Sequence, residues 1–255
     1  MQASFLVWRT NDRYQLMLAA DLQEAAQKRL PMFVLRAKVN LVAPTDGTML
    51  LGLAGPQAEE ALADAALPCP PAPMSTAFAD GVTVIRLDAT RFIIALPEAA
   101  KADLWQKLTV KARPAGVLVW RWLDIQAGFP LVTLAAKEEF VPQMADFEKI
   151  GGISLHKGCY PGQEIVARTK YLGKVKRRTY RASVQSDCPQ PGTDLFSPDL
   201  ADQSCGKVIP AAPSPSGGCE LLASMLMSSA AAGALRVGSA DDPRLSFHAL
   251  PYPLD

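Results

Sequence analysis

The sequence is poor in the residues that most often build metal sites and disulfides. It has two histidines, His156 and His248, which are too few for a histidine-rich metal site. Its five cysteines are odd in number and widely spaced, and no two of them form a CxxC pair. We therefore expect no metal site and a reduced, cytoplasmic compartment.

Long hydrophobic runs and net charge are also missing. No apolar run reaches the roughly 18 residues that cross a bilayer, and residues 1–9 lack the basic and apolar regions of a secretory signal. The 26 Lys and Arg residues nearly balance the 25 Asp and Glu residues, which excludes a global charge for binding polyanions. The motifs GxGxxG, GxxxxGK[ST], HExxH and GxSxG do not occur, so nucleotide-binding folds, zinc proteases and α/β-hydrolases lose their main support.

What is present is a globular composition, 49% hydrophobic and 20% charged, with alternating helical and strand patterns. A predicted hairpin around Asn11 and Asp12 leads into a helix that Asp21 caps and Pro31 ends. Residues 32–41 are predicted to form a strand, because they are rich in Val, Leu and Phe.

The middle of the chain predicts a ferredoxin-like unit. Its order is strand, helix, hairpin and helix, which we assign to residues 48–53, 57–66, 81–96 and 97–108, with a last strand near Val117. Residues 118–127 favour a helix, and their Val and Trp content keeps a strand as the alternative. Residues 130–158 look irregular.

The last third predicts β-structure. Residues 164–171 and 174–184 flank a turn at Leu172 and Gly173 and read as a hairpin. Short strands near residues 195, 206–209, 219–227, 234–237 and 245–250 alternate with turns rich in Pro, Gly and Ser. This spacing suggests a small barrel or sandwich.

The segment KGCYPGQE at residues 157–164 is the strongest candidate for chemistry. Its glycines and proline force a tight turn around Cys159, and the cation of Lys157 would favour the thiolate. The functional interpretation is a reactive thiol; the structural interpretation is a small apolar residue that fills a turn. Spacing alone favours the structural interpretation.

Positive charge is concentrated between residues 157 and 181, which carry eight basic residues against one acidic residue, Glu164, for a net +7. One interpretation is an anion site for nucleic acid, a cofactor tail or an acidic partner. The other is a solvated hairpin, because alternation puts Lys174, Lys176 and Arg178 on one face and Arg177 and Arg181 on the other.

Two tryptophans, Trp120 and Trp122, precede Gln126. Aromatic residues on a helix usually lie in the core, and we favour that interpretation. The alternative is a stacking wall for a planar heterocycle, with Gln126 as both donor and acceptor.

The eight-residue motif resembles the K-G-C-Y-x-G-Q-E pattern of the YgfZ family, folate-binding proteins related to the glycine-cleavage T protein. Residues 123–130, 140–143, 151–154 and 250–252 agree with the same family, and the resemblance covers essentially the whole chain. It implies an α+β fold with three domains. A split first domain would comprise residues 1–42 and 112–163, an inserted ferredoxin-like domain residues 43–111, and a C-terminal antiparallel β-barrel residues 164–255.

The resemblance also implies tetrahydrofolate binding, and a role in maintaining iron–sulfur enzymes, including enzymes that thiolate tRNA. Cys159 would be the functional cysteine, assisted by Lys157. Trp120 would contact folate, and Gln126 falls where the T protein carries a pterin-binding glutamate. The remaining residues that we assign to the cofactor are Tyr160, Gln163, Glu164 and Arg168. The implied partners are iron–sulfur enzymes or assembly factors, with a weak tRNA contact, no membrane and a monomeric state.

Two departures from the family pattern bear on function. Family members carry about one more αβ segment upstream, so we expect residue 1 to lie inside the first domain. The T protein's catalytic aspartate falls where this chain has Ala3 and Ser4. That difference disfavours aminomethyl transfer, which needs a negative charge there. A folate-dependent one-carbon transferase and a nucleic-acid-binding protein remain the alternatives, and whether the chain is an enzyme at all stays open.

Overall fold

The computed structural model describes residues 1–10, 12–43, 47–173, 175–200, 203–239 and 243–254. The chain divides into two compact units. One contains residues 1–4, 18–26 and 116–255, and we call it the motif unit because it carries residues 157–164. The other, the inserted unit, contains residues 5–17 and 27–115. The three-domain boundaries stay a prediction.

The inserted unit is built on two antiparallel sheets. β1 (Leu6–Thr10) pairs with β2 (Arg13–Met17), which confirms the first hairpin. The second sheet has the strand order β3-β6-β5-β4. Its elements, in chain order, are β3 (Thr48–Ala54), α2 (Ala58–Asp64), β4 (Ser75–Ala79), β5 (Val82–Arg86), β6 (Arg91–Pro97) and α3 (Lys101–Thr109). Helix α1 (Gln23–Arg29) spans the boundary between the two units in sequence.

This sheet differs from the predicted ferredoxin-like order at both ends. Strand β4 was not predicted, and residues near Val117 form a helix instead of a last strand. The predicted strand over residues 32–41 is also wrong. A 3₁₀ turn occupies Leu30–Phe33, and the described residues 34–43 contain no strand. Leu35 is 89% exposed and Val42 is 80% exposed, so these apolar side chains bury no strand face.

The motif unit combines helices with a six-stranded antiparallel sheet of order β11-β8-β9-β10-β7-β12. The helices are α4 (Val117–Gln126), α5 (Gln163–Tyr171) and α6 (Met227–Ala232). The strands are β7 (Arg177–Val184), β8 (Asp194–Phe196), β9 (Ser204–Pro213), β10 (Cys219–Leu226), β11 (Arg236–Val237) and β12 (Ser246–His248). The helical interpretation of residues 118–127 and the strands from residue 195 onward are confirmed. Leu195, Val208, Leu221 and Met225 are fully buried in the core of this sheet.

The predicted hairpin from residue 164 is wrong, because its first half is helix α5. Ile165, Val166 and Thr169 gave the strand signal, since β-branched residues favour strands. The charged residues, in contrast, are placed along the segment as a helix favours. Glu164 lies in the first turn, while Arg168 and Lys170 lie in the last, as the helix dipole favours. Two residues named in the predictions, Asn11 and Lys174, lie outside the described residues.

The cysteines are not all thiols, contrary to the expectation from their spacing. Cys188 and Cys219 form a disulfide across 31 residues of sequence. Cys69, Cys159 and Cys205 are free. Sequence spacing gave no warning of this pair, because the two residues meet only when the loop after β7 passes the start of β10.

Candidate functional site

The motif at residues 157–164 folds as an irregular loop that turns into helix α5. Gly162 is the N-cap of the helix, with φ at +83°, a region that favours glycine. The Gln163 side chain closes the turn, because its Oε1 accepts a hydrogen bond of 3.2 Å from the backbone N–H of Tyr160. The backbone N–H of Gln163 donates in turn to the Tyr160 carbonyl at 3.1 Å. The cysteine therefore sits on a hydrogen-bonded frame.

Cys159 lies exposed on this frame as a free thiol. The Nζ of Lys157 lies 4.5 Å from the centroid of the Tyr160 ring, within the range of a cation–π contact. The structure thus brings Lys157, Cys159, Tyr160 and Gln163 together in one turn. The contact that it shows for Lys157 is with the tyrosine ring, so an action of Lys157 on the thiol stays a prediction.

Two other predicted residues follow on helix α5. Glu164 and Arg168 are both exposed and are separated by four residues, so they lie on one side of the helix. Their assignment to a cofactor stays a prediction.

Helix α4 carries the predicted folate contacts and supplies a hydrogen-bonded network. Trp120 is half-buried near its middle, and Gln126 ends it. Arg181 Nη1 donates to Gln126 Oε1 at 2.9 Å, and Gln126 Nε2 donates to Glu220 Oε2. Cation and carboxylate thus fix which way the Gln126 amide points.

Glu220 is the residue that the sequence predictions missed. It lies on β10, 94 residues after Gln126, and its Oε1 also accepts from Trp122 Nε1 at 2.9 Å and from Ser214 Oγ at 3.1 Å. Within the strand sequence CELLASML it is the only charged residue, and this was the available signal. A carboxylate in a largely buried strand needs hydrogen-bond donors, and here they come from helix α4 and the turn before β10.

The predicted basic hairpin is not formed, and one of its central residues has an internal role. Arg178 is 8% exposed, and its Nη1 lies 2.8 Å from Asp146 Oδ1 and 2.8 Å from Glu148 Oε1. Asp146 Oδ2 also accepts from the backbone N–H of Thr179 at 2.7 Å. The proposed exposed face with Lys176 and Arg178 is therefore wrong for Arg178. An anion site on that hairpin loses its geometric basis.

The neighbourhood of the T protein's aspartate has a structural role in this chain. Ser4 is buried, and its Oγ accepts a hydrogen bond of 3.1 Å from the backbone N–H of Val132. The Ser4 hydroxyl therefore fixes the position of the backbone just after Pro130.

Comparisons with known proteins place this chain in a family. No family model matches the chain. The tRNA-modifying protein YgfZ of Cronobacter sakazakii is 40% identical over 181 residues, which are 69% of this chain and 53% of that protein. The protein of the same name from Pectobacterium carotovorum is 33% identical over 239 residues, 92% of this chain and 71% of that one. The chain belongs to the YgfZ family. It matches little more than half the length of the first of these YgfZ proteins.

The fold agrees with this assignment. This chain superposes on the glycine cleavage system aminomethyltransferase T of Bartonella henselae with a TM-score of 0.71, over 98% of this chain and 72% of that one. The two sequences are 20% identical, so the match shows the shared fold alone. The membership of the YgfZ family that the sequence motif implied is confirmed, and the fold is shared with the T protein.

Among the described residues, no helix has both the length and the hydrophobicity needed to span a bilayer. Within the same residues, no group of three or more His, Cys, Asp or Glu side chains is placed to hold a metal ion.

Proposed function

We propose that this chain is a cytoplasmic, folate-binding accessory protein that supports iron–sulfur enzymes and through them tRNA modification. Its relatives are named tRNA-modifying proteins, and its fold is that of an aminomethyltransferase. Tetrahydrofolate is the proposed cofactor. The proposed partners are iron–sulfur enzymes or their assembly factors.

The observation that carries the folate proposal is the fixed amide of Gln126. Arg181 holds its oxygen and Glu220 holds its nitrogen, yet an amide oxygen has a second lone pair and an amide nitrogen a second N–H. The side chain can therefore accept and donate toward the edge of a heterocycle without losing its present partners. Arg181 Nε is buried and has no hydrogen-bond partner among the described residues, which leaves one more donor at this place.

These residues fit the chemistry of a pterin with an anionic tail. Trp120 offers an aromatic surface on the same helix as Gln126, and Arg168 offers a cation for a carboxylate. Bound tetrahydrofolate would supply a one-carbon carrier. The protein's part would be to bind and orient that carrier.

The folate proposal is tested by titrating 5-formyl-tetrahydrofolate into the full chain and its Trp120→Ala variant. Loss of stacking should weaken binding about two- to tenfold, because aromatic pairs contribute roughly 0.5–1.5 kcal/mol beyond buried area. Trp105→Ala is the matched control, since Trp105 is a partly exposed tryptophan on helix α3 of the inserted unit. Equal affinity in both variants would contradict the role of Trp120.

The role of Cys159 is tested in cells that lack the native gene. Cys159→Ser should fail to restore iron–sulfur enzyme activity and tRNA thiolation, because the hydroxyl of serine cannot act as a thiolate. Cys69→Ser should restore both, since Cys69 is likewise exposed and free but lies outside the motif. Full restoration by Cys159→Ser would remove the thiol from the proposal.

The alternative of aminomethyl transfer makes a separate prediction. Ser4 is committed to the Val132 backbone, and we expect no methylene-tetrahydrofolate from aminomethylated carrier protein and tetrahydrofolate. Formation of that product by the purified chain would reinstate the transferase.

A further inference from the structure

The segment of residues 35–41 in the inserted unit has the sequence pattern of a β-strand, yet it forms no strand. Apolar and polar residues alternate along it without exception, in the order LRAKVNL. Such alternation is typical of a strand with one buried face and one solvated face. In the structure the segment is irregular, with bends at residues 35–37. The strand pattern is therefore present in the sequence and unused in the fold.

The side chains that would form the buried face of this strand are largely exposed. Leu35 is 89% exposed and Val39 is 54% exposed. Ala37 is exposed as well, and Leu41 is half-buried. An extended segment that aligned these side chains on one face would gain stability from a partner that covers them, because burial of apolar surface is favourable.

The backbone of the segment is also open to pairing. Its one backbone hydrogen bond among the described residues runs from the Val39 N–H to the Ala37 carbonyl, at 3.0 Å. Within that described part of the chain, the other N–H and C=O groups of residues 35–41 have no protein partner. A row of unpaired backbone groups is a template on which a strand of another chain can add. Pairing would replace the single short-range bond with a regular ladder.

The polar face of the segment carries positive charge alone. Arg36 and Lys38 are exposed, and neither has an ion-pair partner among the residues that the structure describes. Residues 25–45 contain no acidic residue. Residues that lie opposite each other on paired strands share a face, where unlike charges attract and like charges repel. The residues opposite Arg36 and Lys38 on an added strand should therefore be Asp or Glu.

We propose that residues 35–41 are a docking strand for a partner protein whose own edge strand alternates apolar and acidic residues. The partner's backbone would complete the ladder, and its apolar residues would cover Leu35 and Val39. Its carboxylates would meet Arg36 and Lys38. A lipid surface offers the backbone no regular row of donors and acceptors, and a nucleic acid would leave the apolar face uncovered. The proposal is independent of folate binding, because it uses none of the residues assigned to the folate.

The test titrates three seven-residue peptides into the full chain. One alternates Val and Glu, one alternates Val and Lys, and the third is the Val-Glu peptide with every backbone nitrogen methylated. Binding is followed by NMR and hydrogen exchange of the backbone amides of residues 35–41. The Val-Glu peptide should shift and protect these amides. The other two should bind at least about tenfold more weakly, because one repels the cations and the other cannot form the ladder. Equal affinity of the three peptides, or shifts confined to other residues, would overturn the proposal.

Charge reversal tests the same match from the side of the chain. Arg36→Glu combined with Lys38→Glu should reverse the preference, so that the Val-Lys peptide binds at least about tenfold more tightly than the Val-Glu peptide. Lys101→Glu combined with Lys107→Glu, which reverses two exposed lysines on helix α3, is the matched control and should keep the original preference. An unreversed preference in the first variant would refute the charge match.

Other occupants of the segment give different results in the same assays. If a second copy of the chain is the occupant, sedimentation of the chain alone will show a concentration-dependent dimer with protected amides at residues 35–41. If the occupant is a nucleic acid or a membrane, bulk tRNA or vesicles of equal parts phosphatidylcholine and phosphatidylglycerol will protect these amides, while the Val-Glu peptide will not. Either result would overturn the proposal of an acidic partner strand.

Discussion

At the scale of single residues, burial determines how much an ion pair affects the stability of this protein. Arg178 and Asp146 belong to a pair in which the Asp146 side chain is fully buried and the Arg178 side chain is 10% exposed. Lys107 and Asp103 are also paired, at 2.8 Å, but their side chains are 50% and 72% exposed. The first pair is shielded from water, while the second is screened by it, so the same ionic contact should have very different effects on stability.

We expect Arg178→Gln to lower the free energy of unfolding by about 3–5 kcal/mol, because it leaves the buried carboxylate of Asp146 without its cation. Lys107→Gln should cost less than about 1 kcal/mol. Urea unfolding of both variants and the unmodified chain measures the difference. Equal losses would show that burial of the first pair has no energetic consequence.

The free cysteines should differ in reactivity for the same reason. Burial raises the pKa of the Cys205 thiol to about 11, so this group stays protonated, and unreactive, at about pH 8. Iodoacetamide should therefore label the exposed Cys159 and Cys69 in the folded protein and reach Cys205 only after unfolding. Mass spectrometry of the peptides reads out each site, and rapid labelling of Cys205 in the folded state would contradict the expectation.

At the scale of elements, one backbone position begins the helix behind the motif. Gly162 and Gly158 both lie in the motif, and an added Cβ would meet nothing within 4 Å at either position. Of these two glycines, only Gly162 has a positive φ. Glycine is therefore needed at residue 162 for its backbone conformation and not because a larger side chain would clash. The start of helix α5, and the turn that carries Cys159, depend on that conformation.

Gly162→Ala should cost about 1–3 kcal/mol of backbone strain and fray the start of α5. Gly158→Ala has no such strain and serves as the control. Hydrogen exchange of the amides at the start of α5 measures the effect, with faster exchange expected in Gly162→Ala alone. The same exchange rates in both variants would rule out a special role for the positive φ.

At the scale of the whole molecule, the six-stranded sheet is closed covalently as well as by its core. The disulfide between Cys188 and Cys219 joins the loop after β7 to the first residue of β10. It closes a loop of about 31 residues that contains β8 and β9. Such a link restricts the unfolded chain, and its effect should be confined to the stability of the motif unit.

Cys188→Ala should lower the stability of the motif unit by about 3–4 kcal/mol, as loop-closure entropy predicts for a loop of this length. Cys69→Ser, in the inserted unit, should not change it. Thermal unfolding with and without reductant measures both, and reductant should reproduce the Cys188→Ala effect on the unmodified chain. Insensitivity to reductant and to the substitution would show that the disulfide does not stabilise the sheet.

Local patterns were enough for much of this protein. Residues 48–53, 82–86 and 91–97 follow strand patterns bounded by turn residues, and the structure has strands there. The motif at residues 157–164 was sufficient to indicate the family, because its turn residues and its cysteine are contiguous in sequence. These strands and the motif could be predicted because each depends only on residues that are neighbours in the sequence.

Tertiary structure decided what no local pattern contains. Residues 163–171 have strand formers and helix-compatible charges together, and they form a helix whose one buried residue is Val166. The sequence pattern predicted an exposed Arg178, but Arg178 is paired with the buried Asp146, which lies 32 residues earlier in the chain. Gln126 likewise binds Glu220, which lies 94 residues later. Such partners are set by which strands and helices meet. The sequence by itself therefore determined many of the strands, the turn and the family, while packing between distant segments decided whether residues 163–171 form a helix, which charges are buried and which groups meet at the site.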